Sequence, residues 1–187
     1  MPQILKMVSV IAKLQTTLDV YEGLFAEKNN AEITINNFHE IGNSIKNALR
    51  THIIIGCAAL FSDPSRTCGN ENMSLKNLIE KNESKLSASA IALKNEIFNL
   101  VENMNLKKFR NKHVGHFGLE EMLGFQATEA EITVSNVRLL LEKSQKFINI
   151  LIHDAQIMPQ NESLGFYSKI PNHRSTDKFL ARLKGHA

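Results

Sequence analysis

Four runs of residues spaced alternately by three and four limit what this 187-residue chain can fold into. The first is Met7, Ile11, Leu14, Leu18, Tyr21 and Phe25. The second is Phe38, Ile41, Ile45, Ala48, His52, Ile55 and Ala59. The third is Leu86, Ala90, Leu93, Ile97, Leu100 and Met104. The fourth is Val134, Val137, Leu141, Ser144, Ile148 and Leu151. Steps of three and four return a side chain to the same side of an α-helix, so each run is one stripe that seeks a neighbouring helix at a shallow angle. Strand signals are weak by comparison: Glu32-Ile33-Thr34-Ile35 alternates, but briefly and with no partner run nearby. The expectation is an all-α chain, an antiparallel four-helix bundle over residues 1–156 with short extra helices and a C-terminal tail, 157–187.

Punctuation between the stripes agrees. Lys28-Asn29-Asn30 reads as the loop between the first two helices. Asp63-Pro64-Ser65 stops the second, since proline cannot continue it. Ser74 suits the N-cap of a short helix through about Glu80. Thr128 and Glu131 make a capping-box pattern ahead of the fourth stripe, and Pro159 marks its end. In the tail, Lys169, Arg174, Lys178, Arg182 and Lys184 exceed Glu162 and Asp177 by three, which equals the whole formal charge of +3. Ser175 could cap a short helix there whose Phe179, Leu180 and Leu183 share a face. The tail either folds back on the bundle or reaches out to a partner or to RNA.

Composition narrows the function classes. The two cysteines make no disulfide framework: Cys57 sits in an apolar run and reads as a buried small residue, Cys68 as a loop thiol. No Cys/His cluster has zinc spacing, so neither a metal nor another cofactor is expected. No stretch approaches the ~18–20 apolar residues of a membrane span. The N-terminus lacks a basic region ahead of an apolar block, so no signal peptide is expected and a cytoplasmic location is.

The chemistry concentrates in Arg110-Asn111-Lys112-His113-Val114-Gly115-His116. This segment lies inside Asn103–Leu119, seventeen residues without an acid that carry Lys107, Lys108, Arg110 and Lys112. A cation that grips phosphate, beside a side chain that titrates near neutrality, is what cutting RNA without a metal requires. On an ideal helix Arg110 and His113 share a face, whereas His116 lies about 120° from Arg110. Either the helix ends near Gly115 and His116 turns back, or the two meet on a phosphate only when two chains come together. His52 falls on an apolar stripe and reads as a hydrogen-bonded core histidine. Asp63 reads as a residue that caps or turns its loop, with a supporting role near the active cleft as the alternative.

These residues resemble the HEPN superfamily of all-helical domains, whose signature is an Arg, a polar residue such as Asn, and a His after a short gap. More narrowly, the chain resembles the U-type abortive-infection branch. Besides Arg110-Asn111 and His116-Phe117, the likeness includes Leu60-Phe61-Ser62-Asp63-Pro64 and Asn72-Met73-Ser74-Leu75-Lys76-Asn77-Leu78, and it runs over most of residues 15–155. His113 is not part of that signature. The resemblance implies a metal-independent endoribonuclease, dimeric, with two motifs facing a shared cleft. It also implies work in phage defence or as a toxin restrained by an antitoxin or other regulatory protein. Carried onto this chain, Arg110 would hold the scissile phosphate. His116 would act as general base or acid, and Asn111 would orient it or bond a phosphate oxygen. Lys107, Lys108, Lys112 and His113 are the expected RNA-contacting residues. The rival expectation is a non-catalytic RNA-binding or protein-interaction module on the same fold. The bland reading of Arg110 is a pair with an acid such as Glu120, and that of His116 is a helix-end cap.

Overall fold

The computed structural model describes residues 2–25, 28–37, 39–111, 132–159, 162–164 and 174–184. The described chain is all-α apart from one small hairpin. Helices α1 (Pro2–Phe25), α2 (Lys28–Asn37) and α3 (His39–Cys57) come first, and α3 runs on into a wide π-helical turn, Ala58–Ser62. Strands β1 (Arg66–Thr67) and β2 (Asn70–Glu71) form the hairpin, with Cys68 and Gly69 both at positive φ in its turn. After it come α4 (Leu75–Glu80), a 3₁₀ turn, α5 (Ala88–Asn103), α6 (Leu106–Phe109), α7 (Val134–Asp154) and α8 (Arg174–Lys184). Contacts group these into two compact units. One holds residues 1–11 and 54–166, the other residues 12–53 and 167–187.

In the first unit α5 and α7 lie antiparallel, as two contacts far apart along them show. The Ser87 amide at the start of α5 donates to Asp154 at the end of α7 at 2.9 Å, and Lys143 pairs with Glu96 farther along. Between the helices the third and fourth stripes close in part, with Leu86, Leu93 and Leu100 of the third only partly buried. Ala90, Ile97 and Met104 are buried from one side, and Val137, Leu141, Ser144, Ile148 and Leu151 from the other. Ser144 satisfies its hydroxyl by donating to the Leu140 carbonyl at 2.7 Å, so its polarity costs the seam little. Local caps follow the sequence reading in part. Ser74 accepts from the Asn77 amide and opens α4 as expected. Thr128 and Glu131 lie outside the described residues, and α7 is capped by Thr133, which accepts from Asn136 at 3.1 Å. Helix α7 ends at Asp154, short of Pro159.

In the second unit the segment expected as a loop, Lys28-Asn29-Asn30, is instead the first turn of α2, and the alternating Glu32-Ile33-Thr34-Ile35 is helical with it. Thr34, β-branched and a poor helix former, donates its hydroxyl back to the Asn30 carbonyl at 2.9 Å and so tolerates the helix. Helix α8 packs on α2, and its Leu180 joins a small core with Leu24 and Phe25. Phe179, expected on the same face, stays exposed.

Gly23 lets Thr176 come close. A Cβ at position 23 would stand 2.5 Å from the Thr176 hydroxyl and 2.9 Å from its Cβ. Thr176 is buried and branched at Cβ, so it cannot swing clear. Gly23→Ala is therefore expected to loosen α8, at a cost of roughly 1–3 kcal/mol for overpacking. Amide exchange should quicken across residues 174–184 and stay slow in α5 and α7. Unchanged exchange in α8 would show that it does not rest on Gly23.

The second stripe is a correction. Ile41, Ile45 and Ile55 are 59%, 39% and 41% exposed, and Ala48 and His52 are exposed with them. The buried side of α3 carries Ile53, Ile54 and Cys57. His52 is thus no core histidine. Cys57 is fully buried, as expected, and burial pushes its thiol pKa up to about 12, out of the reactive range.

Candidate functional site

Asp63 owes its position to the π turn and to the proline after it. The Asp63 amide donates to the Ala58 carbonyl at 3.2 Å, five residues back, which closes the wide turn. A residue before proline is pushed from helical to extended backbone, and Asp63 leaves the helix at φ −69°, ψ 146°. Phe61 and Leu60 anchor the turn in the core, and α4, α5 and α6 all pack against it. A small clamp holds the ensuing hairpin. Lys81 and, more weakly, Arg66 hold the exposed Glu71 carboxyl below its usual pKa. Asn77 donates to the Ser65 carbonyl at 3.0 Å.

Arg110 arrives from the other direction. Asn105 adopts the left-handed conformation, φ 48°, which an Asn tolerates better than most residues and which ends α5. The chain then turns into α6, where Leu106 and Phe109 are buried three apart and Lys107 and Lys108 between them face solvent. The next residue is Arg110. Its Nη1 donates to Asp63 Oδ1 at 2.6 Å, and its Nε donates to Asn111 Oδ1 at 3.4 Å. Both members of the ion pair are partly exposed, Arg110 at 24% and Asp63 at 25% of the side chain. A guanidinium has five N–H donors in a fixed plane, so among the described residues this geometry leaves donors beyond the Asp63 and Asn111 bonds.

A cavity of about 750 Å³ has Ser62 and Asn111, the chain neighbours of Asp63 and Arg110, in its lining. Phe61, Phe98 and Val101 supply apolar wall, and Lys76, Lys107 and Lys108 supply positive charge. Asn111 also lines it, with Glu102 and Ser62. Lys76 Nζ stands 5.9 Å from the centre of the Phe98 ring, a cation–π distance. The Ser62 hydroxyl is buried and makes no hydrogen bond among the described residues.

Of the residues singled out in the sequence, Lys107, Lys108 and Asn111 line this cavity, and Arg110 donates to Asn111. Lys112, His113 and His116 lie outside the described residues, as does Glu120, the acid the bland reading gave to Arg110. The acid observed there is Asp63, forty-seven positions earlier. The sequence offered Asp63 a local role or a supporting one near the cleft, without naming Arg110 as its partner, and gave no role to Phe98, Glu102 or Ser62. The signal that could have marked Asp63 was its place in the Leu60–Pro64 passage that carries the family likeness.

Long helices with a motif arginine at the end of a short one, tied to an acidic loop between α3 and α4, define an all-α domain of HEPN-like fold. The chain belongs to the AbiU2 family of HEPN proteins: the model of that family, HEPN_AbiU2, matches residues 9–160. No significant match was found among curated proteins or solved structures. Among the described residues no helix is long and apolar enough to cross a membrane.

Proposed function

We propose that this protein is a metal-independent endoribonuclease of the HEPN type, acting in phage defence or as a toxin held in check by a partner protein. One observation supports it most: Arg110 is held by Asp63 and donates to Asn111, and Asn111 lines a lysine-flanked cavity. In this reading Arg110 binds the scissile phosphate and Asn111 helps to hold a phosphate oxygen or the histidine. His116 takes the proton of the ribose 2′-hydroxyl, or gives one to the leaving oxygen. The 2′-oxygen attacks phosphorus and the bond to the 5′-oxygen breaks. One product carries a 2′,3′-cyclic phosphate, the other a 5′-hydroxyl. Lys107, Lys108, Lys112 and His113 draw in the strand. DNA lacks the attacking hydroxyl and resists. The test is labelled single-stranded RNA with excess EDTA, read for cleavage and for the product ends. No cleavage, or products with a 5′-phosphate, would sink the proposal.

A second copy of the chain completes the reading. The exposed Ile41, Ile45 and Ala48 give α3 an apolar stripe that suits a homodimer seam. Ile45→Glu should shift the protein toward monomer in light scattering, by tenfold or more in dimer dissociation constant for a charge placed in an apolar seam, on the order of 1.4 kcal/mol or above. A parent that is already monomeric at micromolar concentration would remove the dimer from the proposal.

The rival reading is a non-catalytic RNA-binding or protein-interaction module. Its one favouring observation is the same ion pair, since an arginine already satisfied by Asp63 can be purely structural. The cleavage assay separates the two.

A further inference from the structure

The cavity beside Asn111 has a make-up that phosphate binding alone does not need. Lysines suffice to hold a strand by its backbone. Here they stand around a space that also has two phenylalanine rings, one carboxylate and an orphaned buried hydroxyl. Its volume, about 750 Å³, is large enough for a nucleotide and its flanking phosphates. Phe61 is buried and serves as floor, whereas Phe98 is half-buried and offers a face for stacking. Single-stranded RNA is read in this way, with unstacked bases laid on aromatic rings and bonded along their edges.

Glu102 is the one carboxylate among the lining residues. An ionised carboxylate only accepts hydrogen bonds, so it selects an edge with donors. Guanine presents two adjacent ones on its pairing edge, the ring N1–H and the exocyclic amine, which match the two oxygens of a carboxylate. Adenine and cytosine each set one amine beside a ring acceptor that the carboxylate repels. Uracil has one N–H flanked by two carbonyls. The Ser62 hydroxyl, which can donate, provides a bond for a carbonyl or ring nitrogen of the bound base. Glu102 makes no ion pair among the described residues, so its oxygens are not committed elsewhere.

We propose that this cavity is a base-binding subsite for single-stranded RNA, placed next to the phosphate held at Arg110, and that it selects guanine. The proposal rests on the ribonuclease reading above and adds the specificity of the same site. Phe98 stacks on the base, displacing Lys76 from its ring toward a flanking phosphate. Lys107 and Lys108 hold the backbone at the rim.

The test maps cut positions on single-stranded RNA that contains every dinucleotide, for the parent, Glu102→Gln and Phe98→Leu. Glu102 is exposed near the end of α5, so its substitution leaves the core untouched. The parent should cut next to guanine. Glu102→Gln should lose about tenfold of that preference, as expected when a bidentate base contact is broken, while still cutting. Phe98→Leu should raise KM by a few-fold for all sequences, since stacking is shared by every base. A Glu102→Gln variant that keeps the parental cut pattern overturns the subsite and leaves the ribonuclease reading standing. A parent that cuts without regard to guanine does the same. A parent that cuts no RNA overturns both. A final arm compares guanosine monophosphate with a guanine-containing trinucleotide as inhibitors. Tighter binding of the mononucleotide would make the cavity a free-nucleotide site and overturn its assignment to RNA.

Discussion

Replacing His116 by Ala is expected to slow cleavage of single-stranded RNA by about 10²–10⁴-fold, the usual worth of a positioned acid–base group. The loss should fall on kcat more than on KM, because the imidazole acts on protons in transit and binds little of the substrate. A general base must be neutral and a general acid charged, so a rate that rises with pH would make His116 the base and one that falls would make it the acid. His113→Ala, in the same segment, should raise KM by a few-fold and leave kcat near the parent's, since the proposed reading places it in strand binding and the family signature does not include it. Equal cleavage by parent and His116→Ala would remove the histidine from the chemistry. It would also direct suspicion to a contaminating nuclease.

Replacing Arg110 by Ala should cost about 10²–10³ in rate, the range seen when a preorganised donor to developing negative charge is removed. Lysine should not restore it fully, because an ammonium cannot offer the planar fork that holds Asp63 with one arm and, in the proposed reading, phosphate with the others. Asp63 is a positioning residue in this account, touching the guanidinium at 2.6 Å. Asp63→Asn keeps its shape and removes its charge, and a loss of about tenfold is expected, within the span of measured couplings between contacting groups. On an Arg110→Ala background the same change should cost almost nothing further. That non-additivity distinguishes a role through Arg110 from a general loss of stability. The pair is partly exposed, so its breakage should lower stability by only about 1 kcal/mol. An Asp63→Asn variant that cuts faster than the parent would reverse the assignment and make Asp63 a restraint on the arginine.

How legible the site was depends on the distance over which its parts interact. Arg110, Asn111 and the two lysines could be read because they are neighbours in the chain, and helical spacing carries Lys107 and Lys108 outward between the buried Leu106 and Phe109. Asp63 could not be read as the partner, because no local rule links positions forty-seven apart. Its local features were nonetheless present, an acid before a proline at the end of an apolar run. The base-sized cavity was invisible for the same reason. Its walls come from the π turn, α4, α5 and α6, and only their packing makes a space of them.

Helical class, the run of α1, the pairing stripes of α5 and α7, the cap at Ser74 and the stop at Asp63-Pro64 were all determined by the sequence alone. Each depends on residues within a few turns of one another, where spacing and backbone chemistry suffice. The orientation of α3 was not. Ile53-Ile54-Ile55 puts apolar side chains around much of that helix, so two stripes compete, one through Ile41, Ile45 and Ile55 and one through Ile53 and Cys57. Periodicity cannot rank two faces of similar hydrophobicity. Which one goes inward is decided by the surface that the rest of the chain presents, and the tertiary structure buries Ile53, Ile54 and Cys57 and leaves the other stripe to solvent. The same holds for Lys28–Asn37, where weak helix formers become helical because a hydroxyl returns to its own backbone and a neighbouring helix covers the side chains.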